Sequence, residues 1–131
     1  MTLSTKSNFY HCKNLIAAYE VDVQFSDVSG MEHLDMLMTR SEIAQYEPHF
    51  LSDEERLRLL NADNLLRQQA HLFYQSIQEI ADLASWRRDE SVPTTHWWWY
   101  LERMASSRKL SIGLKRQLIA NIWHKMKQPN Y

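Results

Sequence analysis

The feature that most constrains this chain is the stretch 53–88, which neither glycine nor proline interrupts. The preceding residues 52–55 (SDEE) form a capping box, in which a serine hydroxyl and a glutamate three residues later satisfy each other's backbone amides. Apolar residues then recur every seven positions, which is the spacing of a buried helical face. The sequence therefore predicts one long helix over about residues 53–88. Its apolar seam is formed by Leu59, Leu66, Phe73 and Ile80.

Two other helices are predicted in the first half of the chain. A second capping box at Ser29 begins a helical segment that should end near Pro48, because proline restricts the residue before it. A third cap pattern at Thr39 would instead divide this segment into two short helices. Apolar residues at helical spacing also favour a helix between Phe9 and Val23, although part of this stretch alternates like a strand.

In the second half, Pro93 begins a predicted helix that runs to about residue 106. A last helix is expected from about residue 107 or 111 to Gln128. The expected fold is therefore all-α. It is a single domain over residues 1–131, built as a compact bundle of four or five helices with one long central helix at about residues 53–88.

Composition narrows the class of protein further. Hydrophobic residues make up 44% and charged residues 24% of the 131 residues, which is typical of a globular domain. Two glycines are too few for the usual phosphate-binding loops, and a single cysteine cannot form an internal disulfide. The longest apolar runs have five residues, whereas a membrane span needs about 20. We therefore expect a cytoplasmic protein that does not enter a membrane.

The length of the central helix predicts self-association. A continuous helix over residues 53–88 would be roughly 54 Å long at about 1.5 Å per residue. A compact domain of this size is equivalent to a sphere about 36 Å across. An unbroken helix would overhang the domain, and a second copy would cover its apolar seam most simply, which predicts a homodimer. If the helix breaks instead, the weak helix formers at residues 61–64 are the expected place.

Charge is divided between the two ends of the chain. Residues 1–90 carry a net charge of −7 and residues 91–131 a net charge of +6. Between Glu20 and Glu55, ten carboxylates face one basic residue, Arg40. In one interpretation the acidic helices lie against the basic carboxy-terminal helix, within one subunit or across a dimer. In the other, the basic end faces an external anion such as nucleic acid or an acidic partner.

The aromatic run at residues 96–100 (HWWWY) is the most unusual feature of the sequence. Because successive residues of an α-helix step by about 100°, these side chains cannot share one face. Trp97 and Trp98 fit a core stripe, which leaves Trp99 on the side expected to meet solvent. An exposed indole indicates a contact surface, either a subunit interface or a platform for unpaired bases. The alternatives are a short helix enclosed on all sides, or Trp99 folded over Arg103 as a cation–π pair.

The search for a catalytic site yields no complete pattern. None of the six histidines lies three residues after a glutamate or four from another histidine, so we predict no metal site. Cys12 directly follows His11, but adjacent helical residues do not face each other. The best enzymatic pattern is Glu79 with Asp82, an acidic pair three residues apart. All-α nucleotide pyrophosphatases hold Mg²⁺ with two such pairs, and this sequence has no convincing second pair.

The sequence therefore predicts a non-enzymatic protein without a cofactor, which acts through its surface. We expect a protein–protein interaction or adaptor module that forms a homodimer and has a further protein partner. Nucleic-acid binding by the same region is the first alternative, and a Mg²⁺-dependent nucleotide pyrophosphatase-like activity is the second. The candidate binding surface comprises Trp99, Tyr100, Arg103, Arg108, Lys109, Lys115 and Arg116.

Overall fold

A computed structural model of the chain describes residues 3–104. Within this range the chain forms five α-helices and a 3₁₀ turn, and it contains no strand, which confirms the all-α class. The final helix predicted up to Gln128 lies outside the described residues. The elements are α1 (Leu3–Asp22), α2 (Gly30–Phe50), α3 (Asp53–Gln68), α4 (Ala70–Gln78), α5 (Leu83–Asp89) and the 3₁₀ turn Trp97–Trp99.

The first helix, α1, follows the predicted apolar spacing and packs against α2 and α3. Four residues at successive helical turns are at most 1% exposed, and they are Cys12, Ile16, Tyr19 and Val23. Burying a large apolar side chain contributes about 1.5–3 kcal/mol relative to leaving it in water. The helical interpretation of this stretch is confirmed, whereas a strand would place Cys12 and Ile16 on one face and Tyr19 and Val23 on the other.

The second helix, α2, begins with the predicted capping box. Ser29 Oγ accepts a hydrogen bond from the Glu32 amide at 3.3 Å, and Glu32 Oε2 accepts one from the Ser29 amide at 3.1 Å. The segment is one helix, not two short ones, and it continues past Pro48 to Phe50. The predicted end near Pro48 is therefore early by two residues. The helix can continue past Pro48 because a proline in the last turn removes a single intrahelical hydrogen bond.

A close approach between α2 and α4 fixes the position of α2. A Cβ atom on Gly30 would lie 2.5 Å from the carbonyl oxygen of Ser76 and 2.7 Å from Ile80 Cγ1. The side-chain hydroxyl of Ser76 also donates to the Val28 carbonyl at 3.3 Å. Only glycine therefore allows the start of α2 to lie directly against α4.

The predicted long helix over residues 53–88 is divided into α3, α4 and α5. Its capping box is confirmed, with Ser52 Oγ accepting from the Glu55 amide at 3.2 Å. The helix is interrupted first at Gln69, whose φ of −112° and ψ of 17° leave the helical region. A second interruption covers residues 79–82, after which Asp82 begins α5 as its N-cap. The continuous central helix is therefore not observed.

The alternative break, at residues 61–64, is not observed either. These residues lie within α3, where Asp63 is 6% exposed and bonds to Arg40 and Tyr19. Such tertiary contacts outweigh the low intrinsic helix propensity of asparagine and aspartate. The apolar seam is buried at its first three members, whereas Ile80 is 51% exposed because α4 ends at Gln78.

The breaks remove the argument from helix length for a second copy. Each of α3, α4 and α5 is short enough to lie within a compact domain, so the homodimer remains a prediction without that support. In the described part of the chain, none of the helices combines the length and the apolar character needed to cross a lipid bilayer.

Candidate functional site

The aromatic run does not form the α-helix predicted to begin at Pro93. Residues 97–99 form a single 3₁₀ turn, and α-helical structure resumes only at residues 101–104. In a 3₁₀ turn, consecutive side chains point in three directions about 120° apart. Trp98 and Trp99 point inward and are each 2% exposed. The prediction of an exposed Trp99 is therefore wrong, and the enclosed alternative describes this residue.

Both buried indoles are held by one hydroxyl group on α2. The Nε1 groups of Trp98 and Trp99 donate to Ser41 Oγ at 3.0 and 2.8 Å. The same oxygen lies 3.1 Å from His96 Nδ1. A serine hydroxyl has two lone pairs and one proton, so two indole donors leave its proton for His96. All four polar groups are thus satisfied, and we refer to Ser41, His96, Trp98 and Trp99 as the aromatic joint.

The geometry of the aromatic joint argues against a nucleophilic serine. Both lone pairs of Ser41 are occupied, and an attacking oxygen needs one of them free. Burial, followed by the positive charge of Arg40, lowers the pKa of His96, so its ring accepts a hydrogen bond at neutral pH. The ring also stacks on Trp98 with centroids 4.5 Å apart. The serine and histidine therefore attach the aromatic segment to α2.

A buried charge cluster lies beneath the aromatic joint. Arg40 Nε and Nη2 donate to the two carboxylate oxygens of Asp63 at 2.9 and 3.0 Å, and Nη1 donates to Glu47 at 2.6 Å. Tyr19 donates its hydroxyl to Asp63 at 2.7 Å, and the guanidinium lies 4.1 Å from the Trp98 ring centroid. Burial opposes the charge on Arg40, but the two carboxylates more than offset it and raise its pKa. We call Arg40, Tyr19, Glu47, Asp63 and Trp98 the Arg40 cluster, and Trp98 also belongs to the aromatic joint.

A second set of arginines stacks on aromatic rings nearer the surface. Two guanidinium groups lie over the Tyr100 ring, that of Arg87 at 4.3 Å and that of Arg103 at 4.6 Å from the ring centroid. Arg67 lies 4.1 Å from the centroid of Trp97. Arg67 and Arg103 are exposed, and both rings are partly exposed. We call these five residues the arginine–aromatic surface.

Two residues of the predicted binding surface, Tyr100 and Arg103, thus lie together. The alternative in which Trp99 pairs with Arg103 is not observed, since the Arg103 guanidinium stacks on Tyr100 and Trp99 is buried. The remaining four predicted residues lie outside the described part of the chain, and they are Arg108, Lys109, Lys115 and Arg116.

The acidic segment is only partly neutralised by the described residues. Glu20 pairs with Arg58 of α3, and this hydrogen-bonded contact lowers the pKa of Glu20. Near the end of α1, by contrast, burial and the neighbouring Glu32 and Asp35 raise the pKa of Asp22. Three carboxylates therefore lie close enough to repel one another. The basic carboxy-terminal helix predicted to oppose them lies outside the described residues.

The catalytic patterns considered from the sequence are tied to structural roles. Burial, with Glu55 and Glu47, raises the pKa of the Cys12 thiol to about 11, so it is protonated and unreactive at neutral pH. The Asp82 carboxylate accepts from the Ser85 hydroxyl and the Ala84 amide at 2.9 and 3.1 Å, as expected for an N-cap. Among residues 3–104, no three His, Cys, Asp or Glu side chains form a potential metal site.

A cleft of about 430 Å³ opens between α2 and the segment 90–99. The aromatic joint forms part of its wall through Ser41, His96 and Trp99. Sequence reasoning did not find this cleft, because its two sides are some fifty residues apart and carry no motif. The cleft is also lined by Met38, Glu42, Ala44, Gln45, Glu90, Val92 and Pro93.

Comparison with known proteins gives no relative to guide the assignment. No protein-family model, no curated protein and no solved structure matches the chain. The function must therefore be inferred from the arrangement of its own residues.

Proposed function

We propose that this chain is a non-enzymatic protein–protein interaction module that binds its partner through the arginine–aromatic surface. The observation that carries the proposal is the stacking of both Arg87 and Arg103 over the Tyr100 ring, at 4.3 and 4.6 Å from its centroid. Tyrosine, tryptophan and arginine are the residue types that most often dominate binding energy at protein interfaces. Stacking also restricts the long arginine side chains before binding, which lowers the entropy lost when a partner docks.

The arginines of this surface differ in how far they are neutralised. Arg87 donates to Glu102 and, at 2.7 Å, to the Trp99 carbonyl, so it fixes the segment and holds one face of the tyrosine ring. Arg103 is exposed, and within residues 3–104 no ion pair involves it or Arg67. These two guanidinium groups are therefore suited to an acidic or carbonyl-rich segment of a partner.

Charge balance favours a protein partner over nucleic acid. Residues 67–104 contain four arginines and five carboxylates, whereas a phosphate backbone is bound through a clear excess of positive charge. Interfaces between proteins tolerate mixed charge around an aromatic centre. Nucleic-acid binding remains the alternative for the basic residues beyond Met104.

We also propose that the chain forms a homodimer in the cytoplasm. Because the long central helix is not observed, its length no longer supports the dimer. The dimer is supported instead by apolar residues on the outer side of α3, where Leu57 and Leu60 are 58% and 51% exposed. Exposed leucines grouped on one helix are typical of a contact surface. Light scattering should give twice the mass of the chain, and a monomeric mass at micromolar concentration would contradict the dimer.

The test of the interaction surface compares variants changed at exposed or partly exposed side chains. Wild type, Arg103→Ala and Tyr100→Leu are used as bait, with Arg56→Ala as the matched control because Arg56 is exposed on α3 outside the surface. We expect at least one protein to be retained by wild type and Arg56→Ala and lost from the other two. Direct titration of the purified protein then measures the loss. Equal retention by all four baits, with unchanged stability, would exclude this surface.

A further inference from the structure

The cleft between α2 and the segment 90–99 has the size of a small-molecule site. Its volume of about 430 Å³ falls in the range of roughly 300–1,000 Å³ that is usual for ligand pockets. Tyr100 and Arg103 are not among the residues that line it, so it is separate from the arginine–aromatic surface.

Among the described residues that line the cleft, the carboxylates of Glu42 and Glu90 are the charged groups. Glu42 contributes a carboxylate from α2, and Glu90 contributes one from the segment that follows α5. None of the described lining residues is a lysine or an arginine, and burial together with Arg40 keeps His96 neutral at pH 7. Glu42 is held in place by His11, whose Nε2 lies 2.7 Å from Glu42 Oε1. A ligand in this cleft therefore meets two carboxylates, that of Glu42, which is paired with His11, and that of Glu90, and the described lining residues include no lysine or arginine.

The other lining residues include several apolar side chains beside Gln45, and the inner wall is firmly positioned. Met38, Val92 and Pro93 provide thioether and aliphatic surface, which suits the hydrocarbon part of a ligand. The inner wall is the aromatic joint, whose three hydrogen bonds at Ser41 fix the ring of Trp99. Fixed walls lower the conformational entropy that binding must remove.

We propose that this cleft binds an organic cation with an aliphatic stem, an alkylguanidinium or alkylammonium group, held between Glu42 and Glu90 and packed against Met38, Val92 and Pro93. The cation is supplied either by a free amine or by an arginine or lysine side chain of a protein. The cleft needs no part of the arginine–aromatic surface, so either site can fail while the other functions.

The test is calorimetric titration at low salt with three probes. Agmatine represents the free cation, and a blocked Gly-Arg-Gly peptide represents the side chain. The same peptide with citrulline is the neutral control, because citrulline keeps the stem and the planar head but has no charge. We expect at least one of the cationic probes to bind and the citrulline peptide not to bind. Binding of agmatine alone would identify a free cation, and binding of the arginine peptide would identify a protein side chain.

Matched variants locate the binding to this cleft. Glu42→Gln and Glu90→Gln should each weaken the cationic probe by about three- to tenfold, the range expected for half-exposed charge contacts. Met38→Lys, at a position 40% exposed, brings a competing ammonium group to the cleft and should weaken binding without affecting the fold. Glu79→Gln, an exposed carboxylate outside the cleft, should have no effect. No binding of either cation, equal binding of the citrulline peptide, or indifference to both glutamine variants would overturn the proposal.

Discussion

The Arg40 cluster and the arginine–aromatic surface use the same chemical pair for different purposes. In both, a guanidinium group lies over an aromatic ring, at 4.1 Å for Arg40 on Trp98 and at 4.6 Å for Arg103 on Tyr100. Arg40 has a side chain 5% exposed and donates to two carboxylates, Asp63 and Glu47. Arg103 is exposed and has no carboxylate partner among the described residues.

The difference shows that the surroundings decide what an arginine–aromatic pair does. A buried guanidinium group must be neutralised, because an unpaired charge in the core costs several kcal/mol. Arg40 therefore joins α2 to α3 through Asp63, and its hydrogen-bonding capacity is used inside the protein. An exposed guanidinium group stacked on a ring keeps its hydrogen-bonding edges available to another molecule. The Arg40–Trp98 pair stabilises the fold, and we propose that the Arg103–Tyr100 pair binds a partner.

The largest effect is expected for Asp63→Asn. This change removes one of the two negative charges that neutralise Arg40 and leaves a buried guanidinium group incompletely paired. Breaking a buried pair in this way costs about 3–5 kcal/mol of the free energy of unfolding. Urea denaturation followed by circular dichroism measures the loss.

Arg103→Ala is the matched control for this comparison. Substitutions at exposed positions usually change stability by at most about 0.5 kcal/mol. If Asp63→Asn and Arg103→Ala lowered the free energy of unfolding equally, the distinction between an architectural and a binding arginine would be wrong.

The second prediction concerns the aromatic joint that lies over the Arg40 cluster. Ser41→Ala leaves the indole N–H groups of Trp98 and Trp99 without their acceptor, and each such buried group costs about 1–3 kcal/mol. We therefore expect a loss of at least about 2 kcal/mol in the free energy of unfolding. The fluorescence of the two indoles should also change as the segment loosens from α2.

Thr39→Ala is the control for the loss of a hydroxyl on α2. The Thr39 hydroxyl donates to the Asp35 carbonyl of its own helix at 3.0 Å and carries no tertiary contact of this kind. Its removal should leave both stability and fluorescence close to wild type. A Ser41→Ala protein as stable as Thr39→Ala would show that the joint does not hold the segment.

The two regions also show which features could be predicted from sequence. The capping boxes at Ser29 and Ser52 are local patterns, and they correctly predicted the starts of α2 and α3, while the apolar spacing correctly predicted that α1 is a helix. The breaks at Gln69 and residues 79–82 carry no glycine or proline, so nothing local marks them. These breaks allow α4 to pack against α2. Contacts between distant segments of this kind cannot be predicted from the sequence of one segment.

For the candidate site, the sequence predicted the region but not the roles of its residues. The position of Trp99 was wrong because the run forms a 3₁₀ turn and because Ser41, far away in the sequence, accepts its N–H group. The pairing of Arg40 with Asp63 was missed for the same reason, since the two residues lie on different helices. The contact between Tyr100 and Arg103 could be predicted from the sequence, because the two residues are three positions apart.

The smallest expected effect is a pH dependence of stability that belongs to the buried region alone. Burial lowers the pKa of both His96 and His33 below the usual value of 6.5. Below about pH 6.5 the unfolded chain takes up protons at these residues and the folded chain resists, so acid favours unfolding. The free energy of unfolding should therefore fall between about pH 7.5 and 5.5. The fall should be smaller in His96→Asn and in His33→Asn than in wild type.

At His96, the hydrogen bonds of the aromatic joint oppose protonation in the same direction as burial and the positive charge of Arg40. Protonated Nδ1 would become a donor facing Ser41, whose two lone pairs already accept from two indoles. Asparagine in this position keeps an acceptor oxygen but does not titrate, so His96→Asn should retain stability at pH 7.5 and lose part of its acid sensitivity. The arginine–aromatic surface contains no histidine, and Arg103→Ala should leave the pH dependence as it is in wild type. A pH dependence unchanged in His96→Asn would mean that the joint does not resist protonation.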